Sequence, residues 1–211
     1  PYDLIVLEPL QAWMQGTSQL YSVDFYREAF EKLSDGGVLA QWIPLYGQRD
    51  EDTRSMVETA MSVFPTASLW LQRIDGILIL EKRAAPTALT VLEDRLKRRG
   101  LAPDFSELHL GTPQDRRALW IASGTELSDW TYGFPVLTDD RPFLEFSAAR
   151  DLTQGDPRRT LSALRPHLGP LDPLAAALRE AILDWTALGE ADYAAQESLL
   201  ARKRAEIPSS D

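Results

Sequence analysis

The sequence contains no cysteine in its 211 residues, which excludes a disulfide framework, catalysis by a thiolate and a cysteine-bound metal. Histidine is nearly absent too, since His109 and His167 stand alone and match no metal-ligand spacing. The Gly-x-Ser-x-Gly motif of the serine hydrolases is also missing. From these absences we expect no metal site.

Positive charge is scarce as well: 22 Lys and Arg stand against 32 Asp and Glu, for a formal net charge of −10. Because nucleic acids are bound by basic surfaces, this balance predicts no nucleic-acid partner. No apolar run approaches the roughly 20 residues that a membrane-spanning helix needs, and no signal peptide is visible. We therefore expect no membrane insertion by this chain.

What the sequence does contain is an alternation of apolar strands and amphipathic helices over residues 1–84. One strand ends at Glu8 and a second covers 37–44, with a helix predicted between them at 24–33 and another beginning at Asp50. Strands apolar on both faces belong in a parallel sheet that helices cover on both sides. The predicted fold class is α/β, a doubly wound sheet whose first strand is fully buried.

An antiparallel hairpin is predicted to finish this sheet. Two apolar runs, 68–74 and 77–81, flank the dipeptide Asp75-Gly76. Asp-Gly between apolar runs is typical of a two-residue type I′ turn, in which both central residues have positive φ. We therefore expect Asp75 and Gly76 at the centre of the turn.

The second half of the sequence is mostly helical in pattern. A basic amphipathic helix is predicted near 90–99, and Thr112-Pro113 has the residues of a helix N-cap and first turn. After a stretch rich in Pro and Gly, a helical hairpin is predicted over Pro173–Leu188 and 191–205.

The carboxyl ends of the first two strands are the expected ligand edge, because parallel α/β sheets bind ligands there. Glu8 ends the first strand and is a candidate polar anchor; the alternative is a solvated carboxylate or one paired with a helix N-terminus. Gln41 and Trp42 lie at the equivalent end of the second strand. Trp42 fits the core or the wall of a pocket better than a specific contact.

The connection 9–22 is about twice the usual length for a strand-to-helix loop. It includes Gln11, Trp13, Gly16 and Tyr21. Its position at the ligand edge favours a lid, and the alternative is a loop packed by its own side chains.

A cluster of charged residues, Asp139-Asp140-Arg141-Pro142, precedes a short apolar run. The two carboxylates could bind a cation, pair with Arg141 or cap a turn. A turn with a side-chain cap and an Asp–Arg pair is the favoured interpretation.

Four segments of the sequence are similar to the motifs of one known protein family: 2–26, 36–39, 41–46 and 138–146. In the first, Glu-Pro-Leu-Gln-Ala-Trp-Met-Gln-Gly at 8–16 is similar to Glu-Pro-Ser-Asn-Pro-Trp-Met-x-Gly. Together these segments resemble the spermidine synthase (aminopropyltransferase) family, and most closely its bacterial branch in which the domain follows a membrane-embedded, transporter-like segment.

The resemblance implies an S-adenosylmethionine methyltransferase-like sheet that ends in an antiparallel hairpin. Residues 1–150 would form the C-terminal half of this domain, and 151–211 a helical appendage. Trp185, Gly189 and Tyr193 are similar to the tetratricopeptide consensus. Because such repeats need about three units for stability, a single tetratricopeptide-like hairpin docked on the domain is the favoured interpretation, and the start of a repeat array is the alternative.

The family transfers an aminopropyl group from decarboxylated S-adenosylmethionine to a polyamine. Its loop after this strand reads Asp-x-x-Asp-Pro, and the second Asp is the suggested general base. Glu8 and Gln11 stand at these positions, and an amide cannot accept the proton. The resemblance implies that substrate is bound by Glu8, Trp13, Tyr21, Gln41, Trp42, Asp139 and Asp140.

Decarboxylated S-adenosylmethionine is thus the cofactor implied for the complete protein. The first three family strands, with their glycine-rich turn and ribose-binding acid, are not in this sequence, so we expect no cofactor binding and no activity from this chain alone. The alternative is a catalytically degenerate domain that senses a ligand or mediates assembly of a membrane protein.

The partner implied by the resemblance is a polyamine or another small cation. The location implied is the cytoplasm, with tethering to the inner membrane by an N-terminal segment that this sequence does not include. Without its family neighbour, the strand at 3–8 would present an open edge with apolar surface at Val6. We therefore expect a homodimer through that edge.

Overall fold

The computed structural model describes residues 1–9, 12, 14–72, 75–85, 89–101, 105–106, 108, 110–151, 156–188 and 193–206. The chain forms two compact units. The first combines residues 1–86 with 122–168, and the second combines 87–121 with 169–211. The family resemblance implies a different division, between a domain at 1–150 and an appendage at 151–211, and this division stays a prediction.

A five-stranded mixed sheet confirms the α/β class. Its strand order is β1-β2-β4-β3-β5. β1 and β2 are parallel, whereas β4 pairs antiparallel with both β2 and β3. The strands are β1 (Tyr2–Leu7), β2 (Leu33–Pro44), β3 (Thr66–Gln72), β4 (Asp75–Glu81) and β5 (Trp120–Ser123).

Two amphipathic helices of the first unit, α1 (Val23–Lys32) and α2 (Asp50–Met61), pack on one face of the sheet. Ser22 caps α1 by accepting a hydrogen bond from the Phe25 N–H at 3.1 Å. Alternate strand residues are buried on this face, together with helix residues such as Tyr26, Met56 and Ala60. The buried strand residues include Leu39, Gln41, Ile43, Leu69, Leu71, Leu78 and Leu80.

The prediction that the first strand is fully buried is wrong. Leu4 and Val6 of β1 are 58% and 67% exposed. The physical reason is the place of β1 at the end of the strand order, where it pairs with β2 alone among the described strands. Its side chains on the face opposite α1 therefore remain open to solvent.

The antiparallel hairpin is confirmed, but the predicted position of its turn is wrong. Gln72 pairs with Asp75, and Gly76 lies between Leu71 and Ile43. Gly76 is thus a strand residue, and it is not among the glycines with positive φ. A Cβ at this position would lie 2.9 Å from the Ile43 carbonyl oxygen, so glycine permits the close approach of β4 to β2.

Three more helices belong to the first unit: α5 (Thr125–Thr131), α6 (Phe143–Asp151) and α7 (Pro157–Leu164). The segment that leads into α6 is held between α1 and α2 by Leu137. Its N–H donates to Thr59 Oγ1 at 2.9 Å, and its carbonyl accepts from the Val23 N–H at 2.8 Å. These bonds fix the start of the 138–146 segment.

The second unit contains α3 (Leu89–Arg98), α4 (Pro113–Ala118), α8 (Pro173–Leu188) and α9 (Tyr193–Glu206). Thr112 caps α4, as the sequence predicts, and Asp115 completes a reciprocal capping box with it. Asp115 also accepts from Arg204 Nε of α9 at 2.8 Å. The predicted helical hairpin of α8 and α9 is confirmed. Within the described residues, no helix has the length and apolar character needed to cross a membrane.

Candidate functional site

A cleft of about 500 Å³ opens in the first unit where β1 and β2 end. Successive side chains of a strand point to opposite faces, so Trp42 lines the cleft while Gln41 points into the core below α1 and α2. The cleft brings together the predicted residues Glu8 and Trp42. Its full lining is Val6, Leu7, Glu8, Ala40, Trp42, Tyr46, Gln72, Asp75 and Ile77.

Asp75 and two aromatic rings form the polar part of this cleft. The register of β2 against β4 pairs Asp75 with Pro44, which places its carboxylate next to Trp42. Trp42 Nε1 donates a hydrogen bond to Asp75 Oδ1 at 2.8 Å. The rings of Trp42 and Tyr46 meet edge to face, with centroids 6.3 Å apart.

Two acidic side chains, Glu8 and Asp75, line the cleft beside two aromatic rings. Burial raises the pKa of the Tyr46 phenol, and the negative charge of Asp75 raises it further, so the phenol stays protonated at neutral pH. The Glu8 side chain is exposed and accepts no hydrogen bond from any residue the structure describes. Two carboxylates beside two aromatic faces can bind an organic ammonium by charge and by cation–π contact.

Residues 16–21, the second part of the predicted lid, are held in place by hydrogen bonds to Glu145. Gly16, with φ of 81°, donates its N–H to Glu145 Oε1 at 2.7 Å, and Ser18 Oγ donates to the same oxygen at 2.9 Å. A short 3-10 helix follows over Thr17–Tyr21. Residues 16–21 therefore match the alternative of a packed loop.

Tyr21 and Gln41, both predicted to bind substrate, are fully buried away from the cleft. Gln41 Nε2 donates to the Leu20 carbonyl at 2.9 Å, which ties the loop to β2. The Tyr21 hydroxyl group has no hydrogen-bond partner among the described residues. Burial raises the pKa of the Tyr21 and Tyr26 phenols, so they remain neutral.

Asp139 and Asp140 lie on an exposed turn and do not line the cleft. The turn is closed by the Arg141 N–H, which donates to the Thr138 carbonyl at 3.2 Å. The Asp139 N–H donates to Asp24 Oδ2 at 3.2 Å, so a carboxylate of α1 caps this turn.

Two predicted residues, Gln11 and Trp13, lie outside the described residues. Among the residues that the structure does describe, no three His, Cys, Asp or Glu side chains are grouped so that they could hold a metal ion.

The sequence interpretation missed Asp75, Tyr46 and Glu145. Asp75 was assigned to the turn, and only the register of β2 against β4 reveals its place in the cleft. Tyr46 stands four residues after Trp42 in the family-like segment 41–46, which was a usable signal. Glu145 and Gly16 are 129 residues apart in sequence, and no local pattern connects them.

The chain matches no known family model, no curated protein and no solved structure. The geometry of the cleft is therefore the main basis for a functional proposal.

Proposed function

We propose that the chain is part of a spermidine synthase-like domain, and that the complete protein transfers an aminopropyl group from decarboxylated S-adenosylmethionine to a polyamine. In this proposal the cleft binds the amine. The observation that carries it is the arrangement of Glu8 and Asp75 beside the rings of Trp42 and Tyr46 in one cleft.

The chemistry of these residues suits a small polyamine. A protonated amine is attracted to carboxylates, and its methylene groups can pack on aromatic and aliphatic side chains such as Trp42 and Ile77. Asp75 Oδ1 is already engaged by Trp42, which leaves Oδ2 for an ammonium group. A cleft of about 500 Å³ is also within the usual size of a small-molecule site.

The arrangement of the strands supports the methyltransferase-like assignment. β1 and β2 are parallel, and the sheet continues into the antiparallel hairpin of β3 and β4, as the family resemblance implies. The cleft lies at the carboxyl ends of β1 and β2, where ligands bind in such sheets.

The residues of this chain fit the amine and not the nucleoside of decarboxylated S-adenosylmethionine. The sequence has no Gly-x-Gly turn, and the cleft is lined by side chains rather than by a helix N-terminus that could bind a charged nucleoside. The chain by itself therefore supplies the amine-binding part of the proposed reaction.

A second candidate is a domain that binds the amine as a sensor, without transfer. Gln11 favours it, because an amide at the position of the family base cannot accept a proton from the attacking amine. Replacement of Gln11 by Asp in the complete protein separates the two. A transferase that lacks only its base should gain rate, by up to about 10²–10⁴-fold, whereas a sensor should show no transfer in either form.

Amine binding itself is tested by calorimetric titration of the chain with spermidine. Asp75→Asn keeps an oxygen for Trp42 but removes the charge, so we expect the affinity to fall by about ten- to hundredfold. Asp140→Asn is the matched control, because it removes the same charge from an exposed turn outside the cleft. Equal loss in both variants, or no binding by the unsubstituted chain, would overturn the proposal.

A further inference from the structure

The outward face of α3 combines arginine with apolar side chains. Val91, Leu92, Arg95, Arg98 and Arg99 are all exposed, and their spacing places them on one side of the helix. Arg99 continues the helical pattern, since its N–H donates to the Arg95 carbonyl at 3.0 Å. These five residues are called the basic stripe below.

The opposite side of α3 is packed into the second unit, which fixes the direction of the basic stripe. Glu93 is buried and forms an ion pair with Arg116, whose Nε donates to Glu93 Oε1 at 3.0 Å. The Arg116 guanidinium also lies over the ring of Phe105, 5.5 Å from its centroid. The helix therefore cannot turn its arginines inward without breaking this ion pair.

The arginines of the stripe form no ion pair with the described residues. Arg95, Arg98, Arg99 and the adjacent Lys97 form no salt bridge with any carboxylate in the described ranges. Asp94 is the one exposed acid of α3. Like charges three and four residues apart disfavour a helix slightly, and the rest of the chain is acidic, with a net charge of −10. A local surplus of cations in such a chain indicates an anionic partner.

The apolar members of the stripe narrow the choice of partner. Val91 and Leu92 are 42% and 37% exposed and lie one turn before Arg95 on the same side of the helix. Basic helices with exposed aliphatic side chains bind in the interface of anionic membranes, where the aliphatic groups enter the headgroup region. Guanidinium groups bind phosphate by paired hydrogen bonds.

We propose that the basic stripe docks on the surface of an anionic phospholipid membrane. Val91 and Leu92 lie in the headgroup region, and Arg95, Arg98 and Arg99 bind lipid phosphates. With three arginines and two apolar side chains the binding is peripheral, reversible and sensitive to salt. This proposal does not depend on the function proposed for the cleft.

Sedimentation with vesicles tests the proposal. We expect the chain to bind vesicles of phosphatidylcholine mixed with phosphatidylglycerol and not to bind vesicles of pure phosphatidylcholine. Added salt should release the bound chain. Reversing two charges, Arg95→Glu with Arg98→Glu, should weaken binding by about thirtyfold or more, given the contribution of each basic residue at an anionic surface. The matched control is Arg27→Glu with Arg159→Glu, which changes the net charge equally at exposed positions outside α3.

Three results would overturn the proposal: no binding of the unsubstituted chain to anionic vesicles, equal weakening in the α3 variant and the control, or binding that salt does not reduce. A fluorescent DNA duplex is the probe for the competing partner. If the chain binds the duplex more tightly than anionic vesicles, and the α3 substitutions abolish this, the stripe is a nucleic-acid surface and the membrane assignment is wrong. Circular dichroism of both variants establishes that they are folded. The release of the unsubstituted chain by salt tests the proposal without any variant.

Discussion

Trp42 Nε1 donates a hydrogen bond to Asp75 Oδ1 at 2.8 Å, and this contact orients a carboxylate of β4 from the neighbouring strand β2. The same indole is in edge contact with the ring of Tyr46. One side chain thus positions both the charge and the second ring of the cleft, so Trp42 is the residue on which the proposed amine site most depends.

Replacing Trp42 by Phe removes the N–H but keeps an aromatic ring. Asp75 then loses its orienting donor, and we expect spermidine affinity to fall by about three- to tenfold, the range of one hydrogen bond. Trp70→Phe is the control, because Trp70 also donates from Nε1, to Ser68 Oγ at 2.9 Å, but does not line the cleft. Calorimetric titration of both variants checks the prediction, and an equal effect in the two would contradict it.

Glu145 anchors the loop after β1, and its removal should release that loop. In Glu145→Ala, the Gly16 N–H and the Ser18 hydroxyl lose a charged acceptor, so we expect the free energy of unfolding to fall by about 1–3 kcal/mol. Limited proteolysis should cleave near 14–18 faster than in the unsubstituted chain. Glu31→Ala, which removes an exposed carboxylate from α1, is the control. Unchanged cleavage in Glu145→Ala would show that the loop is held by other contacts.

Asp50 gives the unfolding free energy a defined pH dependence. Burial raises its pKa above the ordinary value of 3.8, and the ion pair with Arg54, at 2.7 Å, opposes this only in part. The folded state therefore holds this proton more tightly than the unfolded chain, and the contribution of Asp50 to stability decreases as the pH rises through the folded pKa.

Comparison with Asp50→Asn isolates this effect, since the variant does not titrate at that position. As the pH is lowered from neutrality toward about 4, denaturant unfolding should show the original chain gaining stability relative to the variant. A difference that is independent of pH, or that changes in the opposite direction, would contradict the prediction.

The elements that were predicted correctly depend on local patterns. Thr112-Pro113 signals the start of a helix within two residues, and the 3.6-residue repeat of α2 needs no distant partner. The alternation of side chains along β2 also indicates that Gln41 and Trp42 point in opposite directions. Sequence alone does not say which of the two faces a cleft, because that depends on where α1 and α2 pack.

The features that were missed depend on contacts between distant segments. Glycine at 76 suggested a turn, but Gly76 is a strand residue opposite Ile43, where an added Cβ would lie 2.9 Å from the carbonyl oxygen. Asp75 is therefore a strand residue as well, and it lines the cleft. The exposure of Val6 was expected from the family resemblance, which leaves β1 without a neighbour, and it follows from the order of the strands. The apolar composition of β1 alone suggested burial.

The last prediction concerns the edge of β1. Its outer backbone groups face no described strand, and Tyr2, Leu4 and Val6 are exposed beside it. Such an edge is a template for pairing with another chain. We expect a two-fold dimer in which β1 strands pair antiparallel, with Leu4 beside Val6 of the second copy. Pro1 and Pro9 flank the strand and should confine the pairing to this short segment.

Light scattering at tens of micromolar should therefore give the mass of a dimer for the unsubstituted chain and of a monomer for Val6→Lys. A lysine at this exposed position leaves the fold intact, but in the dimer each copy would place its charge beside Leu4 of the other, in an apolar contact. Tyr132→Lys, at a site 86% exposed and outside the sheet, adds the same charge and should leave the dimer unchanged. A monomer mass for the unsubstituted chain would mean that the β1 edge does not self-associate, whatever its exposure.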